Sequence, residues 1–257
     1  MSTPERMHDQ RHRAESFGAI ADAYDRYRPS YPDALIGDIL AAHPSAALDI
    51  GCGTGKAGRL IAARGVPVLG VEIDEDMAEV ARRSGLEVEI GSFETWEPRG
   101  RMFDLAVSGQ AWHWIDPALG VPKVVGVLRP AGLLALFWNT VKLDDGIRAR
   151  LTPVYARYAP GVAAEGRQLD ETGEIAYAQD LRAAGGFASV EVRRYPWDRT
   201  YTALEYVQLV QTYSDHVILP AEQRAALADA VVAAIEDAGG SVATRYVTVA
   251  VLAKAPQ

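Results

Sequence analysis

Cysteine is almost missing from this chain. Cys52 is the only one in 257 residues, so no internal disulfide can staple the fold, and a reducing, cytoplasmic compartment is expected. Long apolar runs are missing too. None approaches the ~18 residues that a membrane-spanning helix needs, and the strongest, over residues 132–138, has the length of a buried strand. Positive charge is in short supply: 26 Lys and Arg stand against 34 Asp and Glu, and the net charge of -8 leaves no basic surplus for duplex nucleic acid. The five histidines include one H-x-x-x-H pair, in the charged opening segment where the spacing reads as accidental, so no metal centre is expected. His8 and His12 are four apart, but they fall in the charged opening MSTPERMHDQRHR, which also lacks the apolar centre of a secretory leader. Residues 1–13 are expected to be a mobile tail.

What remains is an ordinary globular composition, 49% hydrophobic and 23% charged, sufficient for one sizeable core. Apolar spacing gives one helix through Phe17, Ile20, Tyr24 and Tyr27 and another through Leu35, Ile36, Ile39 and Leu40, with Pro29 and Pro32 between them. Short apolar strands then alternate with helices. Strands are expected at residues 46–50, 66–73, 86–90, 103–107 and 133–138. Such alternation implies parallel strands joined by right-handed crossovers and covered on both faces. Residues 188–195 alternate as a half-exposed strand does. Thr202 and Glu205 form a T-x-x-E capping box, a helix through Leu227, Val231 and Ile235 stops at Gly239-Gly240, and a last strand runs over 242–252.

The expected fold is α/β, Rossmann-like and doubly wound. It has a mostly parallel seven-stranded sheet with an antiparallel last strand, plus a helical cap. Residues 14–257 are expected to form a single domain. Its core spans about 46–138 with 188–195 and 242–252, and its cap elements are 14–43, 139–187 and 196–241.

The stretch LDIGCGTG, residues 48–55, carries the most chemistry. A buried strand runs into Gly51-x-Gly53-x-Gly55 and a helix opens behind it. Glycines let the backbone turn tightly against a ligand, and the helix N-terminus offers free N–H groups. Glu72, about 20 residues further on at the end of the second strand, is placed to accept ribose hydroxyls. Together these features specify a nucleoside cofactor. A Walker A loop is excluded, because Ile50 and Ala57 occupy its required glycine and hydroxyl positions. A dinucleotide reading fits Gly53, Gly55 and Gly58. It starts two residues late, however, and Asp49 would set an anion where a diphosphate must lie. An acid there suits a ligand that carries an ammonium group.

LDIGCGTG, GVEID, GSFETW and FDLAVSGQAWHWID together resemble motifs I to IV of class I S-adenosylmethionine (SAM)-dependent methyltransferases. The likeness is greatest to the small-molecule group of methyltransferase type 11, which includes trans-aconitate methyltransferase-like and ubiquinone-biosynthesis-type enzymes. It spans about residues 46–138. The resemblance implies a cofactor pocket of Asp49, Gly51, Cys52, Gly53, Gly55, Glu72, Ile73, Met77, Ser92, Phe93, Gln110 and Ala111. S-adenosyl-L-homocysteine (SAH) would be the product. In many relatives an Asp stands where this chain has Ser92.

Methyl transfer from a sulfonium is an in-line displacement that needs alignment and a deprotonated nucleophile. His113, between Trp112 and Trp114, is the candidate base; otherwise it is a packed imidazole orienting its turn. Tyr24, Arg28, Tyr31, Trp112, Tyr213 and His216 are candidates for the acceptor pocket, with burial of one helix face as the plain alternative for the tyrosines. The Asn/Asp-Pro-Pro-aromatic run of nucleic-acid amino-methyltransferases is missing, which favours a small-molecule acceptor. Two rivals stay open: an NAD(P)-dependent oxidoreductase, and a SAM-binding protein without turnover.

Overall fold

A computed structural model describes residues 20–162, 164 and 171–257. The expected tail, Phe17 and the histidines at 8 and 12 lie outside the described residues. The backbone forms one seven-stranded sheet in the order β3-β2-β1-β4-β5-β7-β6. Its strands are β1 (Ala47–Ile50), β2 (Val68–Glu72), β3 (Glu87–Ile90), β4 (Phe103–Gly109), β5 (Leu128–Leu143), β6 (Ser189–Thr202) and β7 (Ser241–Lys254). The first five pair in parallel, whereas β7 runs antiparallel to both β5 and β6. This is the expected Rossmann-like sheet, its antiparallel strand inserted beside β5.

Pleating sends alternate residues of each strand to opposite faces. Leu48 and Ile50 of β1, with Leu134, Leu136 and Trp138 of β5, face a core covered by α5 (Pro117–Val127) and α7 (Glu171–Ala184). Ala47, Ala135 and Phe137 face the opposite core, under α2 (Asp33–Leu40), α3 (Lys56–Ala62) and α4 (Glu75–Arg83). Every residue of β1 and of β2 is buried, as a strand covered on both faces requires.

The late strands are longer than expected. The β5–β7 ladder continues to Leu143↔Thr244, and the β6–β7 ladder to Thr202↔Ser241. Residues 139–143 and 196–202, expected as cap, are therefore strand. Their apolar side chains, Leu143 and Tyr201 with Val242 and Tyr246 of β7, floor a third core. Over it lie α6 (Asp145–Tyr158), α8 (Ala203–Val210) and α10 (Ala221–Glu236). Pro196 is tolerated because β6 is the sheet edge. The capping box at the start of α8 is formed: Glu205 N–H donates to Thr202 Oγ1 at 3.3 Å and Thr202 N–H to Glu205 Oε2 at 2.9 Å.

The leading helix α1 (Ala21–Tyr27) lies across the carboxyl ends of the central strands, near α4 and α8. Asp25 pairs with Arg59, and Lys56 Nζ donates to the Asp25 carbonyl; Asp22 pairs with Arg83. Ion pairs thus latch α1 to the helices behind the glycine turn. No described helix is long and apolar enough to cross a membrane.

Candidate functional site

At the carboxyl edge of β1, β2 and β4 lies a cavity of about 270 Å³. In open α/β sheets this is where ligands bind, and here β1 sits between strands whose crossovers leave in opposite directions.

The glycine turn forms its floor. Gly51 has φ +63°, and a Cβ on it would come within 2.7 Å of Ala111 Cβ, so only glycine lets the two loops meet. Gly55 has φ +82° and caps α3, where a Cβ would strike Leu86 at 2.6 Å. Gly55 therefore serves helix packing and does not line the cavity, contrary to the expected contact; Gly51, Cys52 and Gly53 do line it.

Two buried carboxylates face this floor. Asp49 Oδ2 accepts the Gly58 N–H at 2.9 Å, while Oδ1 is buried with no partner. Burial, with the neighbouring charge of Glu72, pushes the Asp49 carboxyl up to about 7 despite that hydrogen bond. Glu72 Oε2 accepts the Gly53 N–H at 2.7 Å, and its Oε1 accepts from Ile73 N at 2.9 Å and Asp74 N at 3.0 Å. Burial raises the Glu72 carboxyl as well, and these backbone donors oppose the rise. Three of roughly four lone-pair positions are engaged, so Glu72 retains room for about one further donor.

Ile73, Met77, Ser92 and Phe93 form the wall beyond Glu72. Asp74 caps α4, accepting from Asp76 N and Met77 N, which fixes Met77 beside the loop. Ser92 Oγ donates to Glu94 Oε2 at 2.6 Å.

The opposite wall begins at Gln110, a non-glycine residue held at φ +58° after β4. Its turn leads into a single 3₁₀ turn, Trp112–Trp114. There His113 and Trp114 face the cavity, while Trp112 is packed into the first core against Phe93 and Ile115. Trp112 is thus a core residue and not part of the pocket wall.

His113 is neutral, because burial and the positive charge of Arg28 bring it down to about 4. The indole Nε1–H of Trp138 donates to its Nδ1 at 3.2 Å. An indole nitrogen can only donate, so Nδ1 keeps its lone pair and Nε2 carries the proton. His113 therefore offers the cavity a hydrogen-bond donor. The expected general base has no lone pair free to take a proton.

Tyr24, Arg28 and Tyr31 close the site from α1 and the segment after it. Arg28 lies over the rings of Tyr24 and Tyr213 at 5.0 and 4.4 Å, and its Nη2 donates to the Thr212 carbonyl at 3.0 Å. Its Nε–H is buried and has no acceptor. Tyr31 sets its ring edge-on to Phe137 at 4.6 Å. Tyr213 and Asp215 line the roof, but His216 points away, between Asp215 Oδ1 at 2.8 Å and the Tyr155 hydroxyl at 2.9 Å. His216 is thus a buried anchor of the roof and not a wall residue.

Sequence reasoning missed Lys56, Asn139 and Asp215 as cavity residues. Lys56 had a local signal, since it follows the last glycine directly. Asn139 stands in β5 just past the end of its pairing with β4 and ties α1's following loop down through Ser30 O at 3.0 Å. Among the described residues no group of three or more His, Cys, Asp or Glu could hold a metal ion.

Sheet order and the glycine turn after β1 define a Rossmann-like fold. Residues 48–136 match the methyltransferase domain family model. The chain is 40% identical over 127 residues to an uncharacterised methyltransferase of Mycobacterium bovis, covering 49% of this chain and 52% of that one. It is 32% identical over 150 residues to a trans-aconitate 2-methyltransferase of Methylobacterium radiotolerans, covering 55% of each. The chain thus spans about half the length of these curated relatives. Among solved structures, a putative type II methyltransferase from Anaeromyxobacter dehalogenans superposes with a TM-score of 0.65 at 20% identity, over 90% of this chain and all of that one. A Haemonchus contortus phosphoethanolamine N-methyltransferase, solved with SAH, gives 0.55 at 16% identity, over 98% of this chain and 61% of that one.

Proposed function

We propose that this protein transfers a methyl group from SAM to a small-molecule acceptor. The observation that carries this reading is the partnerless Oδ1 of Asp49, buried within the influence of a second buried acid, Glu72. A buried carboxyl oxygen without a donor, beside a second buried acid, calls for a cationic ligand. When bound, SAM supplies an ammonium group and a methyl carried on a cationic sulfur.

In this reading Asp49 Oδ1 takes the ammonium group. The backbone of Gly51 and Gly53 holds the aminoacyl chain, and Glu72 uses its remaining lone pair for a ribose hydroxyl. Ile73 and Met77 flank the adenine, with Ser92 and Phe93 at its edge. Gln110 and Ala111 border the sulfur. Arg28, whose Nε–H lacks an acceptor, completes the pairing at the aminoacyl end by receiving the carboxylate. The aromatic surfaces of Tyr24, Tyr31 and Tyr213 wall the remaining space, where a small acceptor fits. The trans-aconitate methyltransferase relative is named for a small organic acid, which supports an acceptor of that size. The buried thiol of Cys52, packed against Gly70, suits a cytoplasmic protein.

Thermal protection tests the proposal. SAH at 100 times its Kd adds ~2.7 kcal/mol to the folded state, which raises Tm, while NADH and NADPH leave Tm unchanged. Protection by the nicotinamide nucleotides alone would reverse the assignment.

A further inference from the structure

We propose that Glu94 fixes the Ser92 hydroxyl as a hydrogen-bond acceptor toward the cavity, and that this pair selects a 6-aminopurine over a 6-oxopurine in the cofactor. The inference deepens the SAM-dependent reading above and rests on it.

The wall after β3 is a turn whose backbone acceptor is already occupied. The Ser92 carbonyl accepts the N–H groups of Thr95 at 3.1 Å and Trp96 at 2.8 Å, which take up its lone pairs. The Ser92 side chain remains, and a hydroxyl by itself can meet a ligand either as donor or as acceptor. Glu94 makes that choice. Its Oε2 takes the Ser92 Oγ–H at 2.6 Å, so only lone pairs of Oγ are left for the cavity that both residues line. Glu94 is itself pinned. Its Oε1 accepts the Asp116 N–H at 3.2 Å, just ahead of α5, and Lys123 Nζ donates to its backbone carbonyl at 3.0 Å.

Ser92 Oγ and the Glu94 carboxylate thus give this wall acceptors, and the side-chain donors that would offset them are engaged elsewhere. Lys123 is spent on the Glu94 carbonyl and does not line the cavity. Lys56 does line it, but its amine donates to the Asp25 carbonyl on α1. His113 stands on the opposite wall, and Arg28 closes the site at the end of α1. A ligand edge laid against Ser92 must therefore donate. The 6-amino group of adenine does so with an N–H. A 6-oxopurine carries a carbonyl there, whose lone pairs would face those of Ser92 and the charge of Glu94. Burying that carbonyl without a donor is what rejects the wrong base.

The test titrates the full chain by calorimetry with two ligands that differ at that position, SAH and its 6-oxo analogue S-inosyl-L-homocysteine. Wild type binds SAH at least about tenfold more tightly than the analogue. In E94Q the Asp116 N–H keeps the amide oxygen, so the amide nitrogen turns to Ser92 and donates to it. The Ser92 proton then faces the cavity, and the preference for SAH falls at least about fivefold while Tm stays near that of wild type. The double variant S92D/E94Q, whose new carboxylate carries no proton, regains the preference. Equal binding of the two ligands by wild type would overturn the proposal. So would an E94Q variant that weakens both ligands alike, as a purely structural Glu94 would. If neither ligand binds wild type, the parent reading falls and this one with it.

Discussion

Glu72 Oε2 lies 2.7 Å from the amide nitrogen of Gly53, so the acid at the end of β2 braces the glycine turn of β1 before any ligand arrives. The carboxylate has two tasks: it holds the turn and keeps one lone pair for a sugar hydroxyl. Glu72→Gln separates them. Glutamine retains one carbonyl oxygen but presents an amide to backbone donors that also donate. SAH affinity should fall at least tenfold, in line with the ~1.5–3 kcal/mol of a hydrogen bond to a charged group. Calorimetric titration of the variant against wild type measures it, and an unchanged Kd removes Glu72 from the ribose site.

Asp49 ties affinity and stability to pH with opposite signs. Its folded carboxyl, near 7, lies above the unfolded value near 4, so the folded state holds an extra proton between these pH values. Stability from this group is complete below about pH 4 and is lost as pH rises through about 7. Asp49→Asn should therefore stabilise the ligand-free protein at pH 8 by at least ~1.4 kcal/mol, the worth of one pKa unit. The same substitution should abolish SAH binding. In wild type the ammonium group selects the ionised carboxylate, so SAH affinity rises between pH 6 and 8 and binding near pH 7 releases protons. Titrations in buffers of different ionisation enthalpy report that release.

Arg28 distinguishes the two ends of the cofactor. Arg28→Gln should weaken SAH at least tenfold and leave 5′-methylthioadenosine, which lacks the aminoacyl tail, within twofold. Equal losses for both ligands would show that Arg28 acts only by holding α1 in place.

The latch on α1 is electrostatic. Asp25→Asn removes the acid shared by Arg59 and Lys56, whose amine burial brings down to about 8. Partly exposed pairs contribute only ~1 kcal/mol or less. The variant should therefore keep its Tm within a few degrees while SAH dissociates several-fold faster in stopped-flow measurement, and salt should produce the same change in wild type.

The sheet and the glycine turn were legible in the sequence because their signals are local. LDIGCGTG encodes a strand, its turn and the cap of the following helix in eight residues, and Glu72 stands at a strand end that periodicity alone locates. The arms of β5 and β6 were not, since Asn139 and Thr140 interrupt the apolar run and Pro196 reads as a stop. Only pairing with β7 carries them on, and pairing is a long-range property. Of the two tryptophans around His113, sequence could not say which faced inward. A 3₁₀ turn places successive side chains about a third of a circle apart, and the left-handed Gln110 sets its starting angle. His113 itself was readable as a cavity residue, but not its protonation. That depends on Trp138, 25 residues away.

The central claim is that the floor between Asp49 and Glu72 binds an aminoacyl sulfonium nucleoside, and a crystal structure of the SAH complex tests it most directly. The account predicts the ligand's amino nitrogen on Asp49 Oδ1, a ribose hydroxyl on Glu72, and the sulfur beside Ala111. A diphosphate wrapped by the glycine turn, or a turn left empty with SAH bound elsewhere, would contradict it.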